Sequence, residues 1–319
     1  MILRSPLDLR FPDLFFALDG FVNASLYLKL EGFHLTGSIK IKTALFLMDD
    51  LEASGRGRPV TTTIVESSSG NLGAALSAIC KIRGYRFLCV TDPNVSPANL
   101  QAIRAYGGEI VTVTAPDANG GYLQTRLNKV QEIVSRIPGA VWLNQYANPA
   151  AMRAHAETTA REILQEFPKL DWLFVGTGTT GTFMGCAQHL RAHSPHTIVA
   201  AVEPEGSVTF GGTAGRRHIP GLGTSRVPEL ADPSFARRVI YIDETTTIRT
   251  CREILQRYGL LIGGSTGTVL AGVRAAQDDF KPGDVVVAIS PDMGDKYLDT
   301  IYDDAWVGKH VGLAARCRS

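Results

Sequence analysis

The sequence predicts an α/β protein built as two doubly wound lobes with mostly parallel sheets, and three observations carry that expectation. Short apolar runs of strand length alternate with helix-period patterns along most of the chain. Several of these strands run directly into turns rich in glycine and hydroxyl residues, each followed by a helix. The length of 319 residues, with 45% hydrophobic and 20% charged residues, suits one large or two medium domains with an ample core.

Taken in order, residues 26–30 alternate as a strand, and a helical pattern follows from Ile41 through Ala44, Leu45 and Met48. Buried strands are expected at 62–65, 86–91, 109–114 and 140–143, separated by helices at 72–82, 98–106 and 121–137. A second series begins after Asn144 with a helix that has Pro149 in its first turn. It continues with strands at 172–175, 197–202, 239–242 and 285–289, and helices at 182–192, 246–258 and 267–276. The Gly- and Pro-rich piece 203–228 reads as a long functional loop. The expected division is a smaller mobile domain at 39–145 and a larger one from 1–38 and 146–319.

Composition excludes several classes of function. Lys and Arg number 32 against 31 Asp and Glu, so the net charge is +1 and no basic stripe tracks a nucleic-acid backbone. No window approaches the ~18 consecutive apolar residues of a spanning helix, and Asp8, Arg10 and Asp13 interrupt any signal-peptide pattern. The five cysteines are odd in number and scattered, with no CxxC pair, which suits buried thiols in a reducing cytoplasm. None of the seven histidines has a partner suggesting a triad or a metal site, and His155 reads as a satisfied interior group.

Four stretches point to chemistry. In Thr36-Gly37-Ser38-Ile39-Lys40 a lysine stands at the mouth of a helix, where the macrodipole and burial both disfavour its proton, as a Schiff-base lysine requires. Ser67-Ser68-Ser69-Gly70-Asn71 offers hydroxyls and open amides at a helix start, suited to a carboxylate or to a simple serine cap. Gly176-Thr177-Gly178-Thr179-Thr180-Gly181-Thr182 is neither a dinucleotide fingerprint nor a Walker A loop, and suits a phosphate monoester. Gly263-Gly264-Ser265-Thr266-Gly267 would set a hydroxyl, rather than a carboxylate, against a ring nitrogen and so weaken an electron sink.

In the order LEGFHLTGSIK, ESSSGNLG, GTGTTGT and GGSTG, these pieces resemble the β-family (fold type II) of pyridoxal-phosphate enzymes, the tryptophan synthase β-subunit-like fold shared by cysteine synthase and cystathionine β-synthase. The resemblance implies pyridoxal 5'-phosphate as cofactor and Lys40 as its catalytic Schiff-base residue. It implies Asn71 against the ring oxygen, Thr177 through Thr182 (Thr177, Gly178, Thr179, Thr180, Gly181, Thr182) around the phosphate, and Ser265 at the ring nitrogen. Ser68, Ser69, Gly70 and Gln145 would hold the substrate carboxylate. A homodimer is expected on the same ground.

Within the family the nearer likeness is to O-phosphoserine-dependent enzymes that supply precursors of 2,3-diaminopropionate for siderophores or peptide antibiotics. It rests on Asp92-Pro93, on 116–126, on Asn144-Gln145-Tyr146-Ala147-Asn148, on 206–229 and on Pro291-Asp292-Met293-Gly294-Asp295. That likeness implies O-phospho-L-serine and L-glutamate as substrates. Arg126 is then a candidate for the leaving phosphate or a glutamate carboxylate, its other reading being a solvated helix-face arginine paired with an acid. Asp292, Asp295 and Lys296 are expected to form an ion-paired turn. His34-Leu35-Thr36, Ile41-Lys42, Leu72 and Thr179 depart from the usual pattern of sulfide-using members. A sulfur-nucleophile synthase, a dehydratase and a non-catalytic binding module of the same fold remain open alternatives.

Overall fold

The computed structural model describes residues 2–68, 70–117 and 120–312. Two sheets organise them. The larger takes strands β1 (Phe15–Ala17), β2 (Ser25–Leu30), β7 (Trp172–Gly176), β8 (Ile198–Pro204), β9 (Arg238–Ile242) and β10 (Val285–Ser290), in the order β1-β2-β10-β7-β8-β9. All neighbours run parallel except β1, which pairs antiparallel with β2 in the register Phe15↔Lys29. The smaller sheet, β5 (Glu109–Thr112), β4 (Arg86–Thr91), β3 (Thr63–Ser67) and β6 (Ala140–Trp142), is parallel throughout.

Period-two alternation decides which residues meet which helices. On β10, Val286 and Ala288 join one apolar cluster while Val287 and Ile289 join another on the opposite face. The first face is covered by α8 (Glu244–Tyr258) and α9 (Gly264–Ala275), the second by α6 (Arg161–Glu166) and α7 (Gly181–His193). In the smaller sheet Ile64, Phe87 and Cys89 face α1 (Lys40–Ala53), α2 (Asn71–Arg83) and α3 (Pro97–Ala105). Val65, Leu88 and Val90 face α4 (Leu123–Arg136). Both sheets are therefore covered on both sides, as their near-continuous apolar strands require.

The expected strands and helices are present, with ends shifted by a few residues. The pattern did not anticipate the short edge strand β1 or the helix α10 (Asp304–Val311). The segment after Pro149 is α5 (Ala150–Ala154), a π-helical turn at His155–Ala160, and then α6. Gly185 lets α7 pack directly on α5, since a side chain there would run into the carbonyl oxygen of Met152.

Cys80 and Cys89 lie in the core of the smaller sheet, Cys186 and Cys251 in that of the larger, and all four are unpaired. Burial pushes the thiols of Cys80, Cys89 and Cys251 up to about 12, and that of Cys186 up as well. Cys317 lies outside the described residues. Among the described residues no helix is long and apolar enough to cross a membrane.

Candidate active site

Lys40 is the first residue of α1, and the loop before it is held in an unusual shape. Thr36 and Gly37 both have φ of +67°, a left-handed conformation that a β-branched residue adopts only under constraint. The constraint comes from the end of β10: Ile39 N donates to Pro291 O at 2.8 Å, and Ser38 bridges Asp292. Lys40 is half-buried, and burial lowers its pKa from 10.5 to about 8. The unfolded chain therefore binds the extra proton between pH 8 and 10.5, so this group's contribution to stability rises with pH across that window. A cofactor-free Lys40→Met variant is expected to be more stable than the parent below pH 8, the gain vanishing towards pH 10.5, as read by thermal melts at each pH.

The same cavity is lined by Lys40, Gly178, Thr180 and Thr182. β7 delivers this turn to the N-terminus of α7, where the N–H groups of Gly181, Thr182 and Phe183 have no partner within the helix. Thr180, at φ +67°, is a second strained threonine, and its hydroxyl is buried without a partner among the described residues. Not every threonine of the turn is free. Thr177 donates its hydroxyl to Glu203 Oε1, and Thr182 Oγ1 lies 3.2 Å from His155 Nε2. His155 is interior, as expected; its ring also meets Thr43 Oγ1 at 2.9 Å and Thr159 Oγ1 at 3.1 Å. Burial, with Lys40 and Lys42 nearby, drives its pKa down to about 3, so the ring is neutral.

At the end of β3, Ser68 acts as a helix cap, its Oγ accepting from Gly70 N at 3.0 Å and Gly73 N at 2.9 Å. Its hydroxyl proton is the part left for a ligand. Gly70, at φ +144°, could not carry a side chain, which would collide with the Asn99 amide. Ser69 lies outside the described residues. Gln145 follows the left-handed Asn144 and donates Nε2 to Ser67 O at 2.8 Å, while Ser67 Oγ is buried with no hydrogen-bond partner among the described residues. Beneath them Glu66 accepts from Trp142 Nε1, Ser67 N and Gln145 N, yet burial raises it to about 7.

Arg126 is not solvated. It is 6% exposed, with Nε 3.3 Å from Asp92 Oδ2, and its Nε and Nη1 make no hydrogen bond among the described residues. The Asp92 carboxylate offsets its charge at Nε, which leaves Nη1 as the buried donor without a partner among the described residues.

The third turn belongs to the helix itself, since α9 starts at Gly264 and Ser265 sits in its first turn. Ser265 lines a second small cavity with Leu222, a residue common to both cavities. The segment after β10 corrects a sequence expectation. Among the described residues Asp292, Asp295 and Lys296 form no ion-paired turn; Lys296 Nζ instead donates to Thr36 O, Gly37 O and Asn71 Oδ1 at 3.1, 3.0 and 3.0 Å. Asp292 is buried and accepts from Asn71 Nδ2 at 2.8 Å and Tyr297 OH at 2.6 Å, with Ser265 Oγ at 3.5 Å.

Sequence reasoning also missed a buried charge cluster behind Lys40. Glu31 accepts from Lys42 Nζ at 2.9 Å and from His34 Nε2 at 2.6 Å, and Glu162 pairs with both Lys42 (2.7 Å) and Lys29 (2.9 Å). Phe11 N donates to His34 Nδ1, which leaves Nε2–H to face Glu31. Burial alone would raise the Glu31 carboxyl; Lys42, His34 and Lys29 outweigh it and hold it well below the carboxylate range. The alternation of β2 assigned Lys29 to a polar face, and no local pattern shows that this face is covered.

These residues fit pyridoxal phosphate. Among the described residues, an unpaired amine of lowered pKa, an α-helix N-terminus with open amides and a Thr180 hydroxyl without a partner meet around one cavity. Comparison with known families matches residues 14–292 to the pyridoxal-phosphate dependent enzymes. The chain is 41% identical over 288 residues to the N-(2-amino-2-carboxyethyl)-L-glutamate synthase of Ralstonia nicotianae, covering 90% of this chain and 85% of that one. Among solved structures it resembles an O-ureido-L-serine synthase, with a TM-score of 0.87 at 34% identity over 97% of this chain and all of the other. It also resembles the O-acetylserine dependent cystathionine β-synthase of Helicobacter pylori, with a TM-score of 0.88 at 28% identity over 95% and 100%. Fold and family match agree, and the chain belongs to the pyridoxal-phosphate dependent enzyme family, within its cysteine synthase-like branch.

Proposed function

We propose that the enzyme joins O-phospho-L-serine to L-glutamate, the glutamate α-amine replacing phosphate at Cβ to give N-(2-amino-2-carboxyethyl)-L-glutamate and inorganic phosphate. Bound pyridoxal phosphate supplies the electron sink that makes the Cα proton removable. In this reading Lys40 carries the cofactor and, once freed, its neutral amine takes the Cα proton and later returns one there. Ser68 O–H, the Gly70 loop and Gln145 orient the substrate carboxylate, while Thr179, Thr180 and the amides of Gly181 and Thr182 hold the cofactor phosphate. Asn71 and Ser265 face its ring.

The observation that supports the choice of leaving group is Arg126, a buried guanidinium on α4 that pairs with Asp92 and whose Nη1 has no hydrogen-bond partner among the described residues. A dianionic phosphate is the ligand that such a fork binds best. The likeness to the Ralstonia synthase supports glutamate as nucleophile. The same reading has a cytoplasmic homodimer feeding 2,3-diaminopropionate to a siderophore or peptide antibiotic.

The test is the purified holoenzyme with O-phosphoserine and, in turn, glutamate, sulfide, homocysteine or no nucleophile, following phosphate and product mass. Glutamate is expected to give the product of joined mass. Turnover with sulfide alone would overturn the reading. Arg126→Lys keeps the charge opposite Asp92 but loses the fork. It is expected to raise KM for O-phosphoserine about tenfold, the worth of one charge-assisted hydrogen bond, while leaving O-acetylserine turnover unchanged.

A further inference from the structure

Asn71 is half-buried at the start of α2, and an amide in a cleft can be placed in either of two flip states. Here two opposite charges choose between them. Asp292 Oδ2 accepts one N–H at 2.8 Å, and Lys296 Nζ donates to the oxygen at 3.0 Å. Flipping the amide would set its NH2 against an ammonium and its oxygen against a carboxylate. The charges are themselves anchored. Tyr297 OH donates to Asp292 at 2.6 Å, and Lys296 spends its other two N–H groups on the carbonyls of Thr36 and Gly37, in the loop that delivers Lys40. Asp292 and Lys296 thus straddle the amide instead of pairing with each other.

We propose that Asp292 and Lys296 are positioning residues that lock the Asn71 amide in one orientation, leaving its second N–H as the group turned to the cofactor ring. Burial pushes the Asp292 carboxyl up, opposed by Tyr297, Lys296 and Asn71, so the carboxylate needs these donors as much as the amide needs it. Burial likewise lowers Lys296, opposed by Asp292 and Asp295. The proposal rests on the cofactor lying beside Lys40 and Asn71, and holds whichever nucleophile the enzyme uses.

The experiment titrates cofactor-free protein with pyridoxal phosphate and reads the dissociation constant from the visible band, in the parent, Asp292→Asn, Asn71→Ala and the double variant. Asp292→Asn offers Asn71 an amide that tolerates either flip, and is expected to weaken binding about tenfold in the parent. In the Asn71→Ala background it should do nothing further, because the group it acts through is gone. An equal effect in both backgrounds, or none in either, overturns the lock. Should Asp292→Asn fail to fold, Lys296→Met in the same two backgrounds reads the amide from its oxygen side, and at least half of its effect should vanish without Asn71. A parent that shows no visible band overturns the cofactor site itself, which separates that failure from failure of the lock.

Discussion

Lys40→Ala is expected to abolish the visible band near ~410 nm that a lysine-bound pyridoxal cofactor gives, and to cut turnover by at least about 10³-fold. The size follows from one nitrogen doing two tasks. In the proposed function it holds the cofactor covalently and also moves the Cα proton, a general-base role worth roughly 10² to 10⁴ by itself. No nearby group can substitute. His155 is neutral with its ring nitrogens engaged, Lys42 is committed to Glu31 and Glu162, and Lys296 to three oxygens. The fold should survive, because burial already disfavours the Lys40 ammonium. Absorbance and single-turnover phosphate release check both halves. A variant that keeps the band, or more than about 1% of parent turnover, would show that another residue holds the cofactor.

Glu31→Ala is expected to produce the largest loss of stability. Lys29 and Lys42 are 1% and 2% exposed, so removing Glu31 leaves two interior ammonium groups to share Glu162. Breaking a buried pair from one side costs about 3–5 kcal/mol, which lowers the melting temperature by roughly 5–10 °C. The sharper expectation concerns the double variant. Glu31→Leu with Lys42→Met removes one charge of each sign and leaves Lys29 facing Glu162 at 2.9 Å. Most of the loss should return, because a desolvated pair gains little over well-packed apolar groups. If the two single losses simply add, the cluster does not act as a unit.

Much of this was legible from residue order alone. Alternation and helical periodicity located nearly every central strand and its following helix, because strands covered on both faces must be apolar throughout. The turns at Lys40, Asn71 and Gly176 showed themselves through small and hydroxyl residues packed into five to seven positions. What stayed hidden has a common cause. Asp292 and Lys296 lie against Asn71, more than 200 residues earlier, and Glu31 meets the distant Glu162 only through Lys42 and Lys29. A single charged residue in an apolar run carries no local mark of whether water or an opposite charge awaits it. Ser68 is the converse case: its helix-start position fitted either a ligand or a cap, and its oxygen serves as the cap for Gly70 and Gly73 while its hydroxyl proton stays available to a ligand.

The four interior thiols have a chemical consequence. Alkylating agents attack thiolate, and a sulfur whose ionisation lies near 12 offers almost none at neutral pH. Cys80 and Cys89 would become reactive only when the smaller sheet opens, and Cys186 and Cys251 only when the larger one does. The wild-type chain therefore carries its own clocks, one pair per sheet, for timing how often each half of the molecule breathes.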